Sequence, residues 1–200
     1  MDALKDRDSL FSDLHNSILK PLGFRKRGHW SILDISPIFH TVYLRASRWG
    51  NRSNAIFHLD IQVFSSEWYE LILAPTKFKG PLEGIMSPVN YELARLCTPP
   101  LGTCEIDAST DLAALKETLA TALRAHALPI FEQCRDHSGI LSYLSSLDNT
   151  EQYSFEKAGI AILLKQDRAA RQFMQAAKQR ASHANHLDYL IGRENVMWPE

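Results

Sequence analysis

Long apolar runs are missing from this chain. The opening stretch, MDALKDRDSLFSDLHNSILK, mixes acids and bases. It holds neither the run of about 7 to 15 apolar residues that a secretory signal needs nor the run of about 18 that a membrane helix needs. The chain is therefore expected to be unexported, cytoplasmic and free of membrane. Cysteine is scarce and odd in number: Cys97, Cys104 and Cys134 are widely spaced. That count argues against a disulfide framework and for a reducing compartment. No Cys-x-x-Cys occurs and no His lies within a few residues of Cys97 or Cys104, so no zinc spacing joins them, and three buried free thiols are expected. Neither sign of charge is in excess. With 22 Lys+Arg against 23 Asp+Glu, the molecule as a whole is no polycation for coating nucleic acid. Gly-x-Ser-x-Gly and the phosphate-cradling Gly-x-x-x-x-Gly-Lys-Ser/Thr are both absent, so no catalytic residue, cofactor or metal is assigned.

What remains is the composition of a globular chain, 45% hydrophobic and 22% charged over 200 residues. That suits one compact domain, or one with an appendage. Leu10, Phe11, Leu14 and Ile18 recur at helical spacing after Asp6, Asp8 and Ser9, which predicts an opening amphipathic helix stopped by Pro21 and Gly23. The period then changes to two. Across Ile38 to Ser47, Ile38, His40, Val42, Leu44 and Ala46 alternate with Phe39, Thr41, Tyr43, Arg45 and Ser47. Across Ala55 to Phe64, Ala55, Phe57, Leu59, Ile61 and Val63 form an apolar face opposite Ile56, His58, Asp60, Gln62 and Phe64. A shorter strand over His29 to Ile35 and a turn over Asp34 to Pro37 make adjacent antiparallel pairing the simplest arrangement.

Residues 65 to 100 are broken by Pro75, Gly80, Pro81, Gly84, Pro88, Pro99 and Pro100. A short helix over Tyr91 to Cys97 and a last strand over Gly102 to Asp107 are the readings there. From Ser109 the helical period returns. Leu112, Leu115, Leu119 and Leu123 follow the capping candidates Ser109, Thr110 and Asp111, with Pro129 near the end or at a kink. Ile140, Leu141, Leu144 and Leu147 predict another helix. Residues 150 to 181 predict a helical pair broken near Gln166 and Asp167. The fold class is thus α+β: an N-terminal helix on a small antiparallel meander over 1–108, then a helical extension over 109–200.

One further reading rests on residues rather than on period. The order helix, Leu22-Gly23-Phe24-Arg25-Lys26-Arg27-Gly28, a strand bearing Trp30, Ser47-Arg48-Trp49 and a long strand resembles the family catalogued as domain of unknown function 4304. The resemblance covers the first 110 residues or so and extends toward residue 145 through Ala127-Leu128-Pro129-Ile130-Phe131. It implies a fold and, as the family's name says, no activity. The Pro-rich middle and the helical extension depart from it.

Four constellations are candidates for function. Between Lys20 and Arg52 lie seven bases, Lys20, Arg25, Lys26, Arg27, Arg45, Arg48 and Arg52, against Asp34 alone, with Trp30, Tyr43 and Trp49 interleaved. Such a patch can bind phosphates and stack bases. It can equally be solvated turn residues, with an Arg held by an acid of the opening helix such as Asp13. The stretch from Thr103 to Ile162 leans acidic, with Asp148 and Glu151 among its acids, which suits a charged protein partner or an ordinary helix surface. His58 and Asp60 share a strand face that Arg45 can reach across the ladder, as a catalytic set or as a buried polar network. His183 and His186 form a weak metal pair; a solvated helix C-terminus fits them better. Trp198 is expected to pack against the helical half or a partner.

The expected function is a cytoplasmic bacterial protein-interaction module, in its specific form an immunity or antitoxin protein that blocks a cognate toxin. The alternative is an anion or nucleic-acid binder using Arg25, Lys26, Arg27, Tyr43, Arg45, Arg48 and Trp49. A small hydrolase or transferase centred on His58, Asp60 and Arg45 is the third reading.

Overall fold

A computed structural model describes residues 2–72, 79–80, 86–147 and 153–198. Pro75, Pro81 and Gly84 of the Pro-rich middle, residues 150–152 of the expected helical pair, and Asp148 and Glu151 lie outside the described residues. The architecture is α+β. Among the described residues, helix α1 (Ala3–Leu14) comes first, six strands form one sheet and the elements after residue 108 are helices.

Helix α1 begins at Asp2, whose side chain accepts the Lys5 N–H, and continues into a π-helical turn over His15–Leu19. The next proline, Pro21, explains the widening, because a proline ring removes one intrahelical donor and crowds the carbonyl four residues back. The same device recurs at Pro129, which follows the π-helical turn Leu123–Ala127 after helix α4 (Leu112–Ala122). There helix α5 (Leu128–Gln133) continues beyond the proline. After α1 the chain reverses at Gly23. Gly23 N–H bonds Lys20 O at 3.0 Å and Phe24 N–H bonds Leu19 O at 3.2 Å, the double closure that needs a left-handed residue; Gly23 supplies φ 91°.

The strands are β1 (Arg25–Arg27), β2 (Trp30–Ile35), β3 (Ile38–Ala46), β4 (Ala55–Ser65), β5 (Val89–Glu92) and β6 (Cys104–Ile106). Their order in the sheet is β1-β2-β3-β4-β5, with β6 also on β4. Strand β1 pairs antiparallel with β2, setting Arg25 opposite Ile32, Lys26 opposite Ser31 and Arg27 opposite Trp30. Since β3 takes one edge of β4, β5 and β6 share the other. Strand β6 covers only its first three residues, Ala55 opposite Ile106 and Phe57 opposite Cys104.

The chain divides into two compact units. The first comprises Met1–Asp34, His40–Gln62 and Asn90–Glu132. The predicted alternation holds there. Val42, Leu44, Phe57, Leu59 and Ile61 are buried on the face that also carries Ser31 and His40. Helix α1 and α5 cover that face. His15 Nδ1 lies 2.9 Å from Ser31 Oγ, and the His40 ring stacks on Phe131 with centroids 4.8 Å apart. Each buried Val, Leu, Ile or Phe side chain of that face contributes about 1.5–3 kcal/mol by leaving water. The opposite face is not the open polar surface that simple alternation suggests, since Thr41, Tyr43, Asp60 and Gln62 are buried too. The boundary expected between residues 108 and 109 falls inside this unit.

The second unit comprises Ile35–Phe39, Val63–Val89 and Gln133–Glu200. It holds helices α2 (Ser66–Ile72), α6 (His137–Ser146), α7 (Ser154–Leu163), α8 (Asp167–Gln179) and α9 (Ala184–Met197), while the short α3 (Leu93–Leu96) belongs to the first unit. The break expected near Gln166 is a left-handed cap at Lys165, φ 58°, with Gln166 N–H on Ala161 O and Lys165 N–H on Ile162 O, both at 2.8 Å. Arg171 lies over the Trp198 ring at 4.8 Å, so Trp198 packs on the helical half.

Several expectations need correction. Arg25 to Arg27 is a strand rather than a turn, because its exposed bases pair through the tight Gly28-His29 turn. The helix expected over Tyr91 to Cys97 begins only at Leu93, since Tyr91 and Glu92 belong to β5. His183 stands at a helix N-terminus, not a C-terminus: its side chain accepts the His186 N–H at 3.2 Å and caps α9. Cys97 is half-buried, whereas Cys104 and Cys134 are buried as free thiols.

Candidate functional site

Strand pairing sorts the basic cluster onto separate surfaces. Directly paired residues in an antiparallel ladder share a face. Arg27 thus lies on the face of Trp30, with Arg25 two residues along the same strand. Trp30 stacks on Tyr43 at 4.2 Å and 19°, which extends that face across β3 to Tyr43 and Arg45. Lys26 points the other way, donating to Ser12 Oγ at 2.7 Å with its ammonium 5.6 Å from the Phe11 ring. Asp13 accepts from Lys116 at 3.0 Å, so the acid expected to hold an Arg of the cluster holds a lysine of α4 instead.

Strand direction decides what gathers at the end of the sheet. The Gly28-His29 turn and the connection from Ser47 to Asn54 lie at the same end, because Leu44 N–H bonds His29 O at 2.9 Å and Ser47 N–H bonds Ile56 O at 2.9 Å. Ala3 N–H donates to Arg52 O at 2.8 Å, so α1 begins there as well. Within the connection, Asn51 accepts the Ser53 and Asn54 N–H groups, and the Trp49 N–H donates to Ser47 Oγ at 3.2 Å. Trp49 is 73% exposed, and the Arg48 guanidinium sits 4.8 Å from its ring. Among the described residues Arg25, Arg27 and Arg52 make no ion pair with an acid. Arg27, Arg48 and Arg52 therefore bring guanidinium groups without a paired acid to the end that carries Trp49, where the start of α1 also places Asp2 and Asp6.

Arg45 is held differently. Its Nε donates to Asp60 Oδ2 at 2.7 Å and its Nη2 to Asp60 Oδ1 at 3.2 Å, with Glu92 Oε2 3.4 Å from the same Nη2. His58 Nδ1 meets the other Glu92 oxygen at 2.9 Å, and Arg95 approaches Glu92 at 3.8 Å. The expected triad of His58, Asp60 and Arg45 is thus a larger network centred on Glu92, which sequence reading missed. Nothing in sequence joins Glu92 to a histidine 34 residues away; β5 does. None of His58, Asp60 and Arg45 lines an open cavity of about 740 Å³ in this unit, which is formed by Cys97, Pro99, Leu101, Thr118, Ala122 and His126 among others. Burial pushes the Cys97 thiol up, away from the thiolate a nucleophilic cysteine needs.

A second polar cluster lies in the other unit and was also missed. Ser65 Oγ and His137 Nε2 are hydrogen-bonded at 2.7 Å, and Glu67 Oε2 lies 3.7 Å from His137 Nδ1. The order strand, serine, helix imitates a nucleophile on a sharp turn. The chemistry does not follow. Ser65 is 1% exposed and already caps α2 by accepting the Trp68 N–H at 3.0 Å. The Ser66 N–H, which would stabilise an oxyanion, donates to Pro37 O at 3.0 Å. Burial lowers the His137 pKa, although Glu67 and Asp136 pull it up. This cluster ties a helix end to its neighbours.

Among the described residues no group of three or more His, Cys, Asp or Glu is placed to hold a metal ion, and no helix is long and apolar enough to cross a membrane. Comparison with known families gives one match: a profile described as Domain of unknown function (DUF4304) covers residues 15–133, more than half of the chain. No curated protein and no solved structure matches.

Proposed function

Because the chain belongs to the DUF4304 family, whose description assigns no activity, its role is read from its surfaces, and we propose that it is a protein-interaction module. The observation that carries this is Trp49, 73% exposed beneath Arg48 at the end of the sheet where Arg27 and Arg52 also lie. Exposed tryptophan and arginine are the residues that anchor protein interfaces. Arginines free of ion pairs around them can meet the acids of a partner. In its specific form the partner is a toxin, and the chain is a bacterial immunity or antitoxin protein acting in the cytoplasm. The free thiols Cys97, Cys104 and Cys134 are consistent with that reducing compartment.

Arg45 takes no direct part in this surface, because Asp60 and Glu92 already occupy its guanidinium. The same engagement argues against a hydrolase or transferase centred on His58, Asp60 and Arg45. The test is co-expression with the product of the adjacent gene. Co-purification and protection of the cells support the reading; failure of both refutes the immunity role.

A second reading draws on Arg25 and Arg27, which are exposed, share one face and border the Trp30–Tyr43 stack. If that face binds nucleic acid, affinity falls with salt at a log-log slope of about −0.9 per neutralised duplex phosphate. Unchanged binding in an Arg25→Ala, Lys26→Ala, Arg27→Ala variant eliminates it.

A further inference from the structure

Strand β1 (Arg25–Arg27) stands at the margin of the sheet. Among the described residues it has β2 on one side and no strand on the other, and all three of its residues are exposed. Which of its backbone groups face outward follows from the turn. Arg27 pairs with Trp30 across two residues only, so these two exchange both ladder hydrogen bonds. The antiparallel alternation then leaves Lys26 and Ser31 opposite one another without ladder bonds and restores the bonds at Arg25 and Ile32. The Lys26 N–H and C=O therefore point away from β2.

The next outward-pointing pair toward the N-terminus belongs to Phe24, whose N–H is already taken by Leu19 O at 3.2 Å. Along β1 the open edge thus offers one donor and one acceptor, both on Lys26. On either side stand Arg25 and Arg27, which share the face of Trp30 and make no ion pair with an acid among the described residues. The Lys26 ammonium is engaged on the other face, with Ser12 Oγ at 2.7 Å.

Charge and hydrogen-bond count together select the occupant. A second copy of this chain, paired antiparallel about Lys26, would set Arg25 against Arg27 and Lys26 against Lys26, like charges directly opposite one another. A nucleic-acid backbone offers phosphate oxygens to the arginines but no donor to the Lys26 C=O, which those oxygens would oppose. An extended peptide offers both, because one of its residues can exchange N–H and C=O with Lys26. The residues before and after it then stand opposite Arg25 and Arg27 in the close pairs, with Cα atoms about 4.5 Å apart and side chains on the arginine face. Acids at both of those positions complete the match. We propose that β1 accepts an extended acidic segment of a protein partner as an additional strand, recognised as two acids separated by the one residue that pairs with Lys26.

The experiment is NMR titration of the full, isotope-labelled chain with the capped peptide Ser-Thr-Glu-Val-Glu-Thr-Ser. Its companions are the same peptide methylated at the valine nitrogen, which removes the donor for Lys26 C=O, a version with Gln for both Glu, and a short oligothymidylate. The Lys26 amide should shift furthest among the β1 amides, since it alone gains a hydrogen bond. The Gln peptide should bind at least about threefold more weakly, and the methylated peptide at least about fivefold more weakly. In the double variant Arg25→Gln, Arg27→Gln, the Glu and Gln peptides should bind within about twofold of each other. The proposal is overturned by an absence of peptide binding, by an unmoved Lys26 amide, by equal binding of the Glu peptide and either altered peptide, by a preference for Glu that survives the double variant, or by tighter binding of oligothymidylate at β1. The peptide comparisons need no variant of the chain, so they stand even if the substitutions disturb folding. Trp49 enters none of them, so failure here leaves the interaction-module reading where it was.

Discussion

Replacing Arg45 by alanine is the perturbation whose cost the structure sets most directly. The substitution strips two donors from Asp60, which is 8% exposed, and one from Glu92. An exposed ion pair contributes about 0–1 kcal/mol, whereas removing one partner of a fully buried pair costs about 3–5 kcal/mol. With 40% of the Arg45 side chain exposed against 11% for Asp60, the pair falls between these limits. The expected loss is about 2 kcal/mol by urea denaturation. The control is Asp60→Asn, which removes the charge and keeps the shape. In that background Arg45→Ala should cost about 1 kcal/mol less, because no buried charge is then left alone. A loss under about 0.5 kcal/mol, or strict additivity of the two changes, refutes the idea that this network is a mutually satisfied structural unit.

Gly159→Ala should destabilise the second unit although alanine is the better helix former. Its Cβ would stand 2.6 Å from Trp68 Nε1 and 3.2 Å from Ile72 Cδ1, and overpacking of about 1–3 kcal/mol exceeds a propensity gain of about 1 kcal/mol; a gain in melting temperature contradicts the packing of α7 on α2. Acid should weaken the fold below the ordinary histidine value of 6.5, since burial lowers the pKa of both His15 and His137 and Lys26 and Lys20 lower His15 further. The unfolded chain then binds protons that the folded chain refuses, so stability falls as pH drops from 6.5 towards the lower folded-state values. Urea midpoints that do not fall between about pH 7 and about pH 5.5, or a slope unchanged in His137→Gln, contradict this. A thiol reagent should modify Cys97 first, because burial pushes Cys104 to about 11 and Cys134 to about 12. Equal reaction rates at all three cysteines in the folded chain contradict it.

Sequence made legible the elements whose own residues alternate or repeat. Helix α1, strands β3 and β4, and the Asp111 cap of α4, which accepts the Ala113 and Ala114 N–H groups at 3.0 Å, are all local patterns. Strand β1 escaped because Arg25, Lys26 and Arg27 are all exposed and show no alternation; pairing with β2 makes them a strand. Helix α2 and strand β5 escaped because each is short and lies among prolines. The site was half legible. Period two placed His58 and Asp60 on one face with Arg45 opposite, but Glu92 and the Ser65–His137 pair depend on contacts 34 and 72 residues apart. Charge counting overstated the basic patch, because it treats Lys26 and Arg45 like Arg27, whereas the fold sends Lys26 to the helix-covered face and engages Arg45 with acids.

The most direct test of the recognition surface is the affinity of the chain for the adjacent-gene product, measured by calorimetry for the unaltered protein and for Trp49→Ala. A hot-spot tryptophan is worth at least about 2 kcal/mol, so the account predicts a loss of about thirtyfold or more with an unchanged urea midpoint. Affinity equal in the two proteins would contradict it.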